Sequence, residues 1–224
     1  MAYVSLSEML HDNGKDQAAA DAVQDLLKLV DQKTLENLEV ATDRSVGETR
    51  ARMYYFLACH WQTQGDLAKY RRYLDQAIDC YPGEIDTLIA RYRLADQTPE
   101  YLQKTKSLIA KAVASMREDL DRSSDETSVS NQANAYNQLA WLIGNTGGDL
   151  DEALRLIKKS VELAPDNGAY YDTMGHVYYA RGDYENAVKS QTTAAELEPH
   201  SGLIVKQLKV FQDALQRKQK PQGK

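Results

Sequence analysis

The 224-residue chain is poor in the residues that would restrict it most. It holds 2 cysteines, 5 prolines, 2 phenylalanines and 2 tryptophans. Two cysteines, Cys59 and Cys80, cannot build a disulfide framework, so free thiols in a reducing compartment are expected. So few prolines leave room for long uninterrupted helices. No apolar run approaches the ~20 residues that a membrane-spanning helix needs. The opening stretch MAYVSLSEMLHDNGKD lacks a basic leader and turns acidic early, unlike a secretory signal, so a cytoplasmic location is expected. A surplus of positive charge is missing too. The formal net charge is -6, which argues against DNA, RNA or an acidic membrane as partner. The one basic cluster, Arg217, Lys218, Lys220 and Lys224, reads as a flexible solvated tail over 217–224.

Catalytic and metal signatures are missing as well. HExxH, GxSxG, a P-loop and GxGxxG do not occur. The histidines at 11, 60, 176 and 200 show no metal-ligand spacing with the cysteines, so no metal or cofactor is expected. The stretch HDNGKD at 11–16 offers oxygen ligands in the manner of a calcium loop. Val23 stands where the bidentate glutamate would be required, which makes the stretch a turn between helices. Glu152, Glu162 and Glu196 read as charges that solvate helix faces.

What is present is tyrosine, 14 in all, and an internal period. Tyrosine packs its ring while keeping its hydroxyl wet, which suits thin, half-exposed helices. Gly148-Asp149, Ala153 and Pro165 recur as Gly182-Asp183, Ala187 and Pro199, each landmark 34 residues on. Gly65-Asp66 precedes Pro82 by 17 residues, the interval that also separates Gly148 from Pro165 and Gly182 from Pro199. Each landmark has a physical role. Gly accepts the positive φ of a tight turn, Asp caps the next helix, a small residue lets two helices approach, and Pro ends the unit. Between them the apolar residues keep helical spacing, as in Leu150, Leu154, Ile157 and Val161. A single helix pair cannot bury such a stripe, so neighbouring pairs must stack.

The stretch GAYYDTMGHVYYARGDYENAVKSQTTAAELEP, 168–199, resembles a tetratricopeptide repeat at nearly every landmark. Tyr171 and Tyr178 stand at the family's two aromatic positions, Met174-Gly175 at its Leu-Gly pair, and Ala187 and Ala194 at its small positions. Residues 135–165 resemble it with one extra residue at the turn, through Tyr136, Leu139 and Ala140. Residues 51–82 are a third copy, in which Tyr70 replaces a small residue and places the two helices further apart. Two fainter copies complete the chain. One runs through Tyr3, Leu6, Leu10, Gly14, Ala19, Val23 and Leu27; the other pairs 84–96 with 99–121, where Tyr101, Thr105, Leu108, Ala112 and Met116 share a face. Polar spacers fall at 32–44 and 122–132, and Ser45 with Glu48 forms a capping box. Ile204, Leu208, Phe211 and Leu215 stripe a final helix over 202–216.

The resemblance implies an all-α fold, an α-solenoid of antiparallel helix pairs with a C-terminal capping helix. The expected repeats are 1–31, 51–84, 85–121, 133–167 and 168–201, within one domain over 1–216. No cap precedes Tyr3, so the chain looks like the C-terminal portion of a longer bacterial protein of this family, or packs its first repeat on a partner.

In that family the first helix of each repeat lines a concave groove. Carried onto this sequence, the groove positions are Arg52, Tyr55, Cys59, Gln62 and Thr63 in one repeat, and Asn134, Asn137, Trp141, Gly144 and Asn145 in another. In the last they are Ala169, Asp172, His176, Tyr179 and Ala180. Arg52, Tyr55, Gln62, Asn137, Trp141, Asn145, Asp172, His176 and Tyr179 are the candidate peptide-binding residues; Cys59 reads as a small hydrophobe. Tyr, Trp, Asn and Gln supply both contact area and hydrogen bonds to an extended peptide. A groove with Arg52 and several Asn but no Lys argues against a carboxylate clamp of the kind some members use on chaperone tails. The expected function is a protein- or peptide-binding adaptor or scaffold. The alternatives are an architectural segment of a longer repeat protein, packing with further repeats or with itself, and an enzyme, for which no constellation is found.

Overall fold

Asp residues that follow Gly in the sequence end up as helix caps, and these caps define the helix pairs. In a computed structural model that describes residues 2–29, 46–122 and 128–219, eleven α-helices and no strands occur among the described residues. The first five are α1 (Ala2–Asp12), α2 (Asp16–Leu29), α3 (Val46–Thr63), α4 (Leu67–Cys80) and α5 (Ile85–Tyr92). Then follow α6 (Pro99–Arg122), α7 (Val129–Asn145), α8 (Leu150–Leu163), α9 (Gly168–Ala180), α10 (Tyr184–Leu197) and α11 (Gly202–Gln219). The spacer at 32–44, Ser45, residues 123–127 of the second spacer, Lys220 and Lys224 lie outside the described residues.

The turns use one device repeatedly. Gly14, Gly65, Gly147 and Gly182 adopt φ of 69°, 76°, 70° and 75°, a left-handed conformation that only Gly enters without strain. Asp66, Asp149 and Asp183 then cap α4, α8 and α10 by accepting backbone N–H bonds. In the 135–165 repeat the left-handed residue is Gly147, not Gly148. The extra residue at that turn is absorbed there, while Gly148 N–H bonds back to Ile143 O at 3.2 Å. HDNGKD is a turn, closed by Gly14 and by a 2.6 Å bond between His11 Nδ1 and Asp16 Oδ1. Ser128 caps α7, so the helix opens at Val129, four residues before the expected repeat boundary at 133.

The helices gather into two compact units, 1–109 and 110–224, with the boundary inside α6. In the first unit α2 and α3 pack Ala19, Ala20, Val23, Met53 and Phe56 together. Tyr70 is buried with Ala58, Leu74 and Leu94, and the small Ala58 gives its ring room. The polar clip of Arg91 fastens α5 to α4 and α6. Its guanidinium pairs with Asp75, which also accepts from Tyr101 Oη at 2.9 Å, and the Tyr101 ring lies 4.2 Å from the guanidinium carbon. The faint first copy is less complete than expected. Ala19 and Val23 are buried, but Tyr3, Leu6 and Met9 of α1 are exposed.

In the second unit α7 and α8 bury Ala133, Ala140 and Ile157 against Tyr170 of α9. Leu139, Ile143, Ala153 and Val177 form an adjoining cluster, joined by Val113, Met116 and Leu120 of α6. Tight approach explains two further glycines. A Cβ on Gly144 would lie 2.9 Å from Val177 Cγ2, and one on Gly175 would lie 2.7 Å from Gln191 Oε1 and 3.2 Å from Phe211. The capping helix α11 buries Ile204, Phe211 and Ala214 as its stripe demands. It runs to Gln219, so Arg217 and Lys218 belong to the helix and not to a flexible tail. Lys218 Nζ donates to Gly182 O at 3.0 Å and lies 5.2 Å from the Tyr184 ring. A cation in the last turn meets the carbonyl end of the helix favourably, which extends α11 beyond 216.

Candidate functional site

The expected groove residues sit on α3 in the first unit and on α7 and α9 in the second. The two sets are in different chemical states.

In the first unit Arg52 is engaged by the fold itself. Its side chain is 17% exposed. Nε donates to Glu8 Oε1 at 3.1 Å and Nη2 to Glu8 Oε2 at 2.8 Å. Nη1 donates to Asp86 Oδ2 at 2.5 Å and to Glu84 Oε1 at 3.3 Å. The guanidinium also lies 5.1 Å from the Tyr55 ring and 4.9 Å from Phe56. It therefore ties α1, α3 and the start of α5 together. Burial alone would lower the pKa of Arg52. The carboxylates of Asp86, Glu8 and Glu84 outweigh that and hold it well above its ordinary value. Glu84 is pushed up by burial and by neighbouring Asp86, against the pull of Arg52. Tyr55 is half-buried, and burial raises its hydroxyl well above the usual range. Cys59 beside it is raised by burial to about 12, which fits a packing thiol and not a nucleophile. Gln62, one turn on, is exposed. Both cysteines are free thiols. On another face of α3, Met53, Tyr54 and Leu57 join Gln17, Asp21, Tyr73 and Gln76 around a cavity of about 370 Å³.

In the second unit a row of half-buried rings comes together. Helical spacing puts Asn137 and Trp141 on one face of α7, and Asp172, His176 and Tyr179 on one face of α9. His176 stands edge-on to Trp141, ring centres 4.8 Å apart, and edge-on to Phe211 at 5.3 Å. Tyr179 stacks on Phe211 at 4.7 Å. Asp172 Oδ2 is 3.9 Å from His176 Nε2, and Asp172 Oδ1 accepts from Gln191 Nε2 at 2.5 Å. Asn145 is placed differently from the rest. It is buried, and its amide nitrogen donates to Trp141 O at 2.8 Å within its own helix.

Five residues that shape these sites escaped the reading of the sequence. Phe211 underlies His176 and Tyr179, Gln191 orients Asp172, and Glu8, Glu84 and Asp86 hold Arg52. Only Gln191 left a signal. It is a polar residue on the small-residue face of α10, in register with Ala187 and Ala194, and a polar group at a buried position needs a partner. Among the described residues no group of three or more His, Cys, Asp or Glu could hold a metal ion, and no helix is long and apolar enough to cross a membrane.

Comparison with known proteins agrees with this architecture. A tetratricopeptide repeat model matches residues 133–167 and 169–201. No curated protein matches the chain. Among solved structures, the thermophilic TPR protein TTC0263 of Thermus thermophilus is similar at a TM-score of 0.51 and 16% identity, over 96% of this chain and 98% of that one. That likeness speaks for the fold alone. YrrB, described as a TPR protein with an unusual peptide-binding site, gives a TM-score of 0.40 at 17% identity, over 93% of this chain and 91% of that one, too loose a likeness to weigh. The segments 133–167 and 169–201 match as tetratricopeptide repeats, and the all-helical architecture of capped helix pairs around them is similar in fold to a solved protein of that type.

Proposed function

We propose that the chain is an adaptor or scaffold that binds a protein or peptide along the faces of its repeat-opening helices. The observation that carries this reading is the row of Trp141, His176 and Asp172, joined by Tyr179 through Phe211, with Asn137 one turn before Trp141 on α7. Half-exposed aromatic rings beside hydrogen-bonding groups are the composition of a binding surface, since such rings bury large area at low entropic cost. The groove role of Arg52, Tyr55 and Gln62 belongs to the same proposal. Arg52 contributes there by shaping the surface, because its own donors are already used. Asn145 belongs to the proposal too, and its amide nitrogen holds Trp141 O near the end of α7. A pull-down with the full chain and with Trp141→Ala and Tyr179→Ala tests the reading. Loss of a specific partner in both variants is expected; an unchanged partner list would count against the groove.

A second reading has its own support. Tyr3, Leu6 and Met9, three residues apart on α1, are 37%, 43% and 61% exposed. Such a stripe suits stacking by further repeats, so the chain would be an architectural segment. Light scattering on the wild type and on Leu6→Glu/Met9→Glu separates the two. A monomer that is indifferent to the substitution removes self-association through this face.

A further inference from the structure

The ligand chemistry of the second unit can be read from what the chain does elsewhere, provided the groove reading above holds. In the first unit, rings that lie beside carboxylates are occupied by the chain's own cations. Arg52 lies over Tyr55 and Phe56 while meeting Glu8, Glu84 and Asp86. Arg91 lies 4.2 Å from Tyr101 and pairs with Asp75. Lys69 Nζ is 3.5 Å from the Trp61 ring and 3.3 Å from Asp66. The reason is common to all three. The negative face of a ring and a carboxylate attract the same cation from two sides, and a flat guanidinium satisfies both at once.

At Asp172 the second unit repeats the arrangement without a Lys or Arg of the chain's own. Asp172 is 21% exposed, with Oδ2 3.9 Å from the imidazole of His176, which stands 4.8 Å from Trp141. Among the described residues no Lys or Arg forms an ion pair with Asp172; it meets the side-chain amide of Gln191 and the ring of His176. Gln191 is fully buried and also donates to Ile204 O at 3.2 Å, so it fixes the carboxylate without neutralising it. One turn before Trp141, the Asn137 side-chain oxygen is buried and has no hydrogen-bond partner, so the same face holds a second acceptor not yet used. We propose that Asp172, His176 and Trp141 receive a basic side chain of the partner peptide, and that arginine fits best. The guanidinium lies against the rings and donates to Asp172 through its fork. Charge complementarity thus selects a basic segment as the occupant, not an acidic tail.

The probes are fluorescein-labelled octapeptide pools, alike except at one central residue: arginine, citrulline (the same shape without charge) or glutamate. Fluorescence anisotropy with the full chain should show the arginine pool binding about tenfold or more tighter than either other pool, the scale expected of a partly desolvated charge pair. Asp172→Asn keeps an acceptor for Gln191 and should abolish that preference, while Glu196→Gln on an exposed position should keep it. Equal binding of the arginine and citrulline pools, or no binding of the arginine pool, overturns the proposal on wild-type protein alone, whatever the variants do. A preference that survives Asp172→Asn overturns it as well. If the citrulline or glutamate pool binds equally and Trp141→Ala or Tyr179→Ala weakens it, the cation assignment fails while the groove stands. If no pool responds to either aromatic substitution, the groove reading fails with it.

Discussion

At the scale of single residues, burial decides chemistry here. Cys59 and Cys80 differ little in sequence, yet burial raises Cys59 to about 12 and Cys80 less far. Iodoacetamide at mild alkaline pH should therefore label Cys80 first, as followed by mass spectrometry of the intact protein and its peptides; comparable rates at both sites would contradict the burial argument. Arg52 is the other decisive residue. Arg52→Ala leaves Glu84 and Asp86 facing each other without their shared cation. The expected loss is about 3 kcal/mol by urea unfolding, the lower end for breaking a buried pair, since Glu8 and Asp86 retain some contact with water. A loss below about 0.5 kcal/mol, the level of an ordinary surface change, would show that the cluster is not structural.

At the scale of helices, caps and close approaches carry the energetics. Asp66 and Asp149 are held below the ordinary carboxylate range first by backbone N–H groups of Lys69 and Glu152, and Asp183 first by the side chain of Asn186. A depressed folded pKa stabilises above the unfolded value of about 4 and is lost as pH falls through the folded values. Replacing all three by Asn keeps the capping acceptor but removes the titration. The variant should therefore unfold less steeply with acid below about pH 4, read as urea midpoint against pH. Glu84 has the opposite sign. Its raised folded pKa favours the fold most below the unfolded value and costs stability as pH rises through the folded one. Gly175→Ala tests the packing of α11. A methyl 2.7 Å from Gln191 Oε1 and 3.2 Å from Phe211 must displace one of them, at about 1–3 kcal/mol. A melting temperature equal to wild type would mean that α11 yields easily. The period made these helices and turns legible, down to the caps. The left-handed position at Gly147 was not, because two adjacent glycines satisfy the same turn and only the backbone path chooses between them.

At the scale of the whole molecule, repetition supplies the architecture and variation supplies the site. Each unit follows the rule that a helix pair cannot bury its apolar face alone. The exposed α1 stripe and the ring row on α9 are the places where that rule is left open. They predict separable behaviour. Leu6→Glu with Met9→Glu should leave peptide binding in the second unit unaltered, and Asp172→Asn should leave the oligomeric state unaltered. Anisotropy and light scattering on both variants check this, and any cross-effect would mean that the two surfaces are one. Trp141, Asp172 and His176 lie together, and Tyr179 joins His176 through Phe211, because helical spacing puts each on one face of its helix.

The sequence by itself determined helix content, repeat length, turn chemistry and which face of each helix is apolar. Those are local properties, set by spacing within about forty residues. Only the tertiary structure decided the state of each polar group. Arg52 and Asp172 look equally available as letters, but Arg52 is closed off by carboxylates from α1 and the start of α5, while Asp172 keeps part of its exposure and pairs with no Lys or Arg among the described residues. That difference comes from partners distant in sequence, whose burial and direction no local pattern encodes.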